Sequence, residues 1–239
     1  MKVSEQLLSK RPLEVSPLGW LCFQLGIFSL ASSPLVAGLF LLFALLKSTV
    51  KRSDSYFKDA WNYPLLIAGL LMVIGCFNAY SGWLAWVGLA NWLPLFWCFW
   101  GFQPYLLTVQ ARKRSAFCFL AGTFPVLLTG LGQLLLGWQG PWELANGYII
   151  WFVDSGGNPQ GRLSGLFNYA NIAGAWLALV WPFSLTFLIQ SPNSFRNRLV
   201  SLFFTIGVAI ALFLTDSRNA WLGMVIATPL ALGPSNWIW

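Results

Sequence analysis

Long uncharged stretches are the feature that most limits how this chain can fold. Only 9% of its 239 residues are charged, and the charges are clustered. The uncharged runs between them cover residues 15–46, 60–111, 115–142, 163–195, 199–215 and 219–239. Most of these runs exceed the roughly 18 apolar residues that mark a candidate membrane span. We therefore predict an all-α integral membrane protein, because soluble domains carry about 25% charged residues.

The first run is too long for one ordinary span, and each of its halves around Ser32, Ser33 and Pro34 holds only about a dozen residues. We predict a hairpin of two short helices over 18–46. Further spans are predicted at 61–80, 91–110, 115–137, 165–190, 199–215 and from 219 onward. The chain would then have about eight transmembrane helices in a single polytopic domain over residues 1–239.

The distribution of Lys and Arg supports the hairpin. Cytoplasmic loops of membrane proteins carry an excess of positive residues. With two helices in the first run, 12 of the 14 Lys and Arg residues fall on one side, whereas a single span leaves at best nine there. We predict a multi-pass protein of the inner (plasma) membrane with a cytoplasmic N-terminus.

The net charge of +7 does not indicate a nucleic-acid partner. A nucleic-acid reader needs a basic stripe on a folded surface, whereas these positive residues lie between apolar runs. The lipid bilayer is therefore the expected partner. The four cysteines lie inside apolar runs without metal-ligand spacing, and we predict neither a metal site nor a cofactor.

An aromatic segment lies between Asn78 and Pro94 and contains Tyr80, Trp83 and Trp86. Rings of this kind are enriched at the headgroup boundary of membranes. The segment indicates an outer aromatic belt, with a short helix lying flat on the membrane. Two roles stay open for it, lipid anchoring and a platform on which sugar rings stack.

Two positive residues, Arg162 and Arg218, break the inside pattern. The predicted topology places both at the outer face, each just before a helix that enters the membrane. A helix N-terminus offers unpaired N–H groups and the positive end of the helix dipole. Because Arg grips phosphate oxygens bidentately, two such ends side by side would suit a diphosphate. We predict Arg162 and Arg218 as diphosphate-binding residues.

Four polar residues are predicted to support these arginines. Ser164 and Ser217 are candidate N-caps of the two helices. Asn168 and Asn171, three residues apart, would place two amides on one helical face below Arg162.

An alternative role for both arginines stays open: each would extend to the membrane interface or pair with Asp154 or Asp216. A repeat of small residues at Ala170, Gly174 and Ala178 indicates a close helix-packing seam. No catalytic residue is predicted, since the chain has no His, no nucleophile elbow and no phosphate-binding glycine loop.

Several segments are similar to a known family. Residues 162–171 (RLSGLFNYAN) and 215–223 (TDSRNAWLG) resemble the core of the O-antigen ligase and polymerase family. Residues 81–94 (SGWLAWVGLANWLP) and 99–105 (FWGFQPY) resemble its cyanobacterial branch, described as inorganic-carbon (bicarbonate) transporters. The resemblance implies that Arg162 and Arg218 match the outward-facing arginines that hold the diphosphate of a polyprenyl-linked glycan.

The same resemblance implies glycan transfer from a polyprenyl diphosphate carrier at the outer face. Family members continue with a large outer loop carrying a functional His and with further helices, so the chain resembles the N-terminal half. We therefore expect it to be inactive alone and to need that half, or a C-terminal partner chain, for glycosyltransferase activity. Bicarbonate transport and an accessory membrane role are alternatives, although no predicted span contains the charge that a carrier site normally shows.

Overall fold

The computed structural model describes residues 15–190 and 195–233. In these residues the chain is mostly helical, with a short helical turn of the 3₁₀ type at Ser53–Lys58 and another at Gln103–Leu106. The α-helices are α1 (Pro17–Ser29), α2 (Pro34–Arg52), α3 (Asn62–Phe77), α4 (Trp83–Gly101), α5 (Val109–Leu135), α6 (Ala170–Ile189), α7 (Phe195–Leu214) and α8 (Arg218–Leu232).

The length and composition of these helices suit a lipid bilayer. Among the described residues, α2, α4, α5, α6 and α7 are long and apolar enough to cross a membrane. Helices α1, α3 and α8 have 13, 16 and 15 residues, fewer than the roughly 20 that a span requires. The chain is therefore a helical protein with several membrane-type helices, and eight complete spans stay a prediction.

Several of the predicted helix boundaries are wrong, most clearly those of α4 and of the first hairpin. The predicted span 91–110 is instead α4, which begins at Trp83 and takes in the aromatic segment assigned to the membrane surface. Gly82, with φ of 56°, breaks the chain before α4, whereas Pro94 is accommodated inside the helix. In the first hairpin only α1 is short, because α2 continues through Lys51 to Arg52 and reaches 19 residues.

The chain divides into two compact units, and the first contains residues up to Gly26 together with Gly38–Ser115. Aromatic residues form its centre: the ring of Tyr105 stacks on Phe23 with centroids 4.6 Å apart. The Tyr105 hydroxyl donates a hydrogen bond to the Ala44 carbonyl at 2.7 Å. These contacts join α1, α2 and the 3₁₀ turn at Gln103–Leu106.

The second unit contains Ile27–Ala37 and Ala116–Trp239. Its core is formed mainly by α6, α7 and α8, with completely buried side chains at Leu177, Val180 and Val208. The division into two compact units does not test the prediction of a single membrane domain over residues 1–239.

Helices α6 and α8 pack closely along small residues. A Cβ atom on Gly174 would lie 2.9 Å from the Cβ of Ser217 and 3.0 Å from that of Ala220. Farther along both helices, the Trp181 indole N–H donates to the Thr228 hydroxyl at 2.9 Å. The contacts advance in the same direction, so α6 and α8 are parallel. The predicted packing seam is thus confirmed at Gly174.

A β-hairpin follows α5, and the all-α prediction did not include it. Strands β1 (Trp142–Leu144) and β2 (Ile149–Trp151) are antiparallel, with Trp142 opposite Trp151. Ala145 and Asn146 in the connecting turn have positive φ values of 54° and 55°. The Trp151 indole N–H donates to the carbonyl of Ser32, so the hairpin is attached to the turn before α2.

Candidate functional site

The side chain of Arg162 lies where three chain segments meet. Its Nε atom donates a hydrogen bond to the carbonyl oxygen of Thr215 at 2.8 Å. Its Nη2 atom donates to the carbonyl oxygen of Asp216 at 2.9 Å and to Oδ1 of Asn171 at 2.7 Å. Arg162 therefore connects the α5–α6 loop (136–169) to the first turn of α6 and to the turn before α8.

The turn between α7 and α8 presents carbonyl oxygens to Arg162. Asp216 has a positive φ of 46°, a conformation that Asp tolerates better than most residues. Next to Arg162, the Leu163 amide donates to the Leu214 carbonyl at 2.8 Å. The Leu163–Leu214 hydrogen bond thus fixes the backbone next to Arg162, and the turn at Asp216 places the acceptor oxygens that the arginine side chain reaches.

The N-termini of α6 and α8 lie at the same end of the packed pair, since the helices are parallel and touch at Gly174 and Ser217. Each helix N-terminus carries a partial positive charge from its aligned peptide dipoles. The guanidinium of Arg162 adds a full positive charge between them. The arrangement matches the prediction of two helix starts side by side.

Arg218 is the first residue of α8, and its side chain is exposed. It makes no hydrogen bond or ion pair with the residues that the structure describes. The backbone N–H groups of Arg218, Asn219 and Ala220 likewise have no acceptor there, as is usual for the first turn of a helix. This end of α8 therefore has three N–H donors and a guanidinium available for an anion.

The serines predicted as N-caps do not cap. Helix α6 begins at Ala170 rather than at 165, with Tyr169 in the N-cap position, so Ser164 lies before the helix. Its hydroxyl instead accepts a hydrogen bond from Nε2 of Gln133 at 3.1 Å. Ser217 does occupy the N-cap position of α8, yet its side chain makes no capping hydrogen bond.

The two asparagines separate in role, and the prediction that they share one helical face is wrong. Asn168 precedes α6, and its backbone carbonyl accepts a hydrogen bond from the Asn158 side chain at 2.8 Å. Asn171 is in the first turn of α6 and accepts from Arg162. Of the two asparagines, only Asn171 makes a hydrogen bond with Arg162.

Gln133, near the end of α5, holds the loop that carries Arg162 and was missed in the sequence. It is completely buried. Its Nε2 atom donates to the Asp154 carbonyl at 3.0 Å, and its Oε1 atom accepts from the amides of Ser164 and Gly165. These bonds keep residues 164 and 165 out of the helix. A polar residue within an apolar run was the only sequence signal for this role.

A close backbone approach at Gly157 also shapes the loop. Gly157 is buried with φ of 86°, and a Cβ atom there would collide with the carbonyl of Arg162. Its amide donates to the Asp154 carbonyl at 2.9 Å. Only glycine fits this position, because it combines the left-handed conformation with contact against the neighbouring backbone.

An open groove lies on the other side of the first turn of α6. It has a volume of about 340 Å³, within the usual range for ligand pockets. We call it the hairpin groove, and it is lined by the turn before α2, by the β-hairpin and by the residues that lead into α6: 31–35, 148–151, 166–168 and 172. The lining includes two aromatic residues, Tyr148 and Trp151, and the polar residues Ser32 and Asn168.

The charge of Arg162 is not cancelled by a carboxylate. Among the described residues it has no ion pair, and it contacts Asp216 through the backbone carbonyl alone. Asp154 likewise uses its carbonyl to bind Gln133. Ion pairing of Arg162 with these acids, the alternative left open above, is therefore absent from the structure.

Comparison of the chain with protein-family models, with curated proteins and with solved structures finds no match. The function is therefore inferred from the geometry of this site.

Proposed function

We propose that the Arg162 site binds the diphosphate of a polyprenyl-linked glycan at the outer face of the membrane. The chain would take part in glycan transfer of the O-antigen ligase type. The observation that carries this proposal is the guanidinium of Arg162, held by neutral acceptors at the adjoining starts of α6 and α8.

A diphosphate matches the donors that lie at this end of the helices. The first-turn N–H groups of α8 suit the oxygens of one phosphate. The exposed guanidinium of Arg218 and the Nη1 group of Arg162, which has no acceptor among the described residues, would bind further oxygens by charge-assisted hydrogen bonds. A group with several anionic oxygens uses this set better than a single small anion such as bicarbonate.

The hairpin groove supports a glycan attached to that diphosphate. Asn171 binds Arg162, while its neighbour Ile172 lines the groove, so the two features share the first turn of α6. Sugar rings stack their C–H faces on aromatic side chains and bond their hydroxyls to amides. Tyr148, Trp151 and Asn168 provide both kinds of contact.

In the transfer step, an acceptor hydroxyl oxygen would form a bond to the anomeric carbon as the bond from that carbon to the diphosphate oxygen breaks, and the hydroxyl proton would pass to the departing diphosphate or to water. The diphosphate leaves with the electron pair and gains negative charge. Arg162 and the first-turn N–H groups of α8, which are oriented beforehand, would stabilise this charge with little reorganisation, and Arg218 would close on it. The role that we assign to Arg162 and Arg218 is therefore stabilisation of the leaving group.

Binding of a polyprenyl diphosphate to the purified chain tests the proposal. We expect Arg218→Ala to weaken affinity by roughly ten- to a hundredfold, because a hydrogen bond to a charged group contributes roughly 1.5–3 kcal/mol. Arg162→Lys should also weaken it, since Lys keeps the charge and loses the planar fork. The double change should cost less than the sum if both residues bind the same group.

Arg196→Ala is the matched control, because Arg196 is an exposed arginine in the first turn of α7. It should leave affinity unchanged. Arg218 makes no hydrogen bond within the described residues, so its replacement removes no such contact from the fold. Wild-type affinity in Arg218→Ala and Arg162→Lys, or equal competition by bicarbonate, would contradict the diphosphate assignment.

A further inference from the structure

A second basic site lies in the first unit, at the end of α2. A small cavity there is lined by Lys47, Ser48, Lys51 and Arg52 of α2, together with Val15, Ser16, Pro104 and Tyr105. We call it the basic pocket. Among the described residues that line it there is no carboxylate.

Ser48 is the residue in the basic pocket that the fold does not explain. Its side chain is only 8% exposed, yet its Oγ atom has no hydrogen-bond partner among the described residues. The adjacent Thr49 satisfies its hydroxyl within the helix, by donating to the Leu45 carbonyl at 2.8 Å. An unsatisfied buried hydroxyl is costly, so its persistence here indicates a partner from outside the chain.

The Tyr105 side of the basic pocket is neutral and closely packed. The Tyr105 hydroxyl donates to the Ala44 carbonyl, and burial raises the pKa of Tyr105 to about 12, so it stays neutral. A Cβ atom on Gly19 would lie 2.7 Å from that hydroxyl oxygen, which shows how closely α1 approaches. The cavity measures about 20 Å³, room for about one water-sized group.

The surroundings of the basic pocket are those of a membrane boundary. Preceding the positive residues along α2, Leu42 and Leu46 are 47% and 46% exposed, as side chains that face lipid tails would be. The distribution of Lys and Arg predicts that this end of α2 is cytoplasmic. Anionic lipids of the cytoplasmic leaflet are attracted to basic groups in this position.

We propose that the basic pocket binds the phosphate of an anionic phospholipid. One phosphate oxygen enters the cavity and accepts a hydrogen bond from the Ser48 hydroxyl. Lys47 and Lys51, one helical turn apart, contact the remaining oxygens from the rim, and the acyl chains lie along the leucine face of α2. The site is separate from the diphosphate site and does not depend on the function proposed for it.

Native mass spectrometry of the purified full chain with phosphatidylglycerol or phosphatidylcholine tests this proposal. We expect one retained phosphatidylglycerol and a clear preference for it over phosphatidylcholine. Ser48→Ala should weaken phosphatidylglycerol binding about tenfold, because a hydrogen bond to a charged group is lost. Lys47→Gln should weaken it about fivefold. Without lipid, thermal unfolding of Lys47→Gln should match the wild type, and Ser48→Ala should be at least as stable as the wild type, because it removes an unsatisfied hydroxyl.

Lys58→Gln is the control, since Lys58 is exposed and does not line the basic pocket. It should leave lipid binding unchanged. If Ser48→Ala and Lys47→Gln bind lipid as Lys58→Gln does, the proposal is wrong. The lysines would then only interact with the negative, C-terminal end of the α2 dipole. Equal retention of phosphatidylcholine, or equal stabilisation by inorganic phosphate, would also overturn it.

Discussion

The guanidinium groups of Arg162 and Arg218 differ in how the protein holds them. The acceptors of Arg162 are two backbone carbonyls and an amide oxygen, so the guanidinium is oriented while its charge is kept. Arg218 has no such bonds within the described residues and is free to follow a ligand. In the proposed site, Arg162 is therefore already oriented, whereas Arg218 would lose side-chain entropy on binding the diphosphate.

Gln133 holds the loop that carries Arg162, so its replacement should weaken diphosphate binding even though Gln133 does not contact Arg162. Gln133→Met keeps the side-chain length and removes the bonds to Asp154, Ser164 and Gly165. We expect a loss of about 2 kcal/mol in stability, because buried backbone groups lose their partners. Diphosphate affinity should fall as well. Thermal unfolding in detergent and a binding titration measure the two effects.

Gln139→Met serves as the comparison, since Gln139 is exposed in the same loop. It should change neither quantity. If Gln133→Met lowers stability and leaves affinity intact, the loop keeps Arg162 in place without this amide.

Packing of α6 against α8 sets the distance between their N-termini at the level of the elements. Gly174 faces Ser217 and Ala220 with no room for a methyl group, whereas a Cβ on Gly223 would meet the Ala178 Cβ at 3.5 Å, an ordinary contact. The two helices therefore pack more tightly at Gly174, near their N-termini, than at Gly223, farther along the seam.

Gly174→Ala should separate the two helix starts. We expect a loss of about 1–3 kcal/mol in stability from overpacking, together with weaker diphosphate binding. Gly223→Ala should be neutral or slightly stabilising, because alanine favours the helix and fits the space. Unfolding and binding measured on both variants give the contrast, and equal effects of the two changes would mean that the seam does not position the site.

Helix positions followed from the sequence more readily than helix starts. Apolar runs located α3 and α7 within four residues at each end, because long apolar runs mark helices that can be buried in lipid. The start of α5 lies six residues before the predicted one, since α5 takes in the basic residues 112–114. The start of α4 was missed, since the aromatic residues from Trp83 onward were assigned to the membrane surface and the span was begun at residue 91. The hairpin was missed because β1 and β2 are only three residues each, although Asn146 and Gly147 form a typical turn pair.

Of the candidate site, the sequence identified the arginines and Asn171 but not the other groups that hold Arg162 in place. Arg162 stood out against the charge pattern, and its contact with Asn171 agrees with the residues selected. The hydrogen bonds to Thr215 and Asp216 were not predictable, because they use backbone oxygens that any residue offers. Gln133 was not predictable either, since its partners are 21 or more residues away in the chain.

For the whole molecule, the remaining issue is which side of the membrane each loop faces. The charge distribution predicts the α5–α6 loop outside and the α6–α7 connection inside. The diphosphate proposal requires this orientation, because Arg162 belongs to the first of these segments.

Single cysteines in a cysteine-free background test the orientation. Ser155→Cys, in the exposed part of the α5–α6 loop, should react with an impermeant reagent in intact cells. Asn197→Cys, near the start of α7, should react only after the membrane is opened. The reverse pattern of labelling would place the Arg162 site on the cytoplasmic side and exclude an outer-face reaction.

The neutral character of Gln133 has a further consequence for how the protein responds to its medium. An amide neither titrates nor attracts counterions, so the bonds that order the Arg162 loop should persist across wide ranges of pH and ionic strength. Attraction of an anion to the exposed guanidinium of Arg218 is screened by salt. A rise in salt should therefore weaken binding of the diphosphate while the Gln133 hydrogen bonds keep the Arg162 loop in the same conformation.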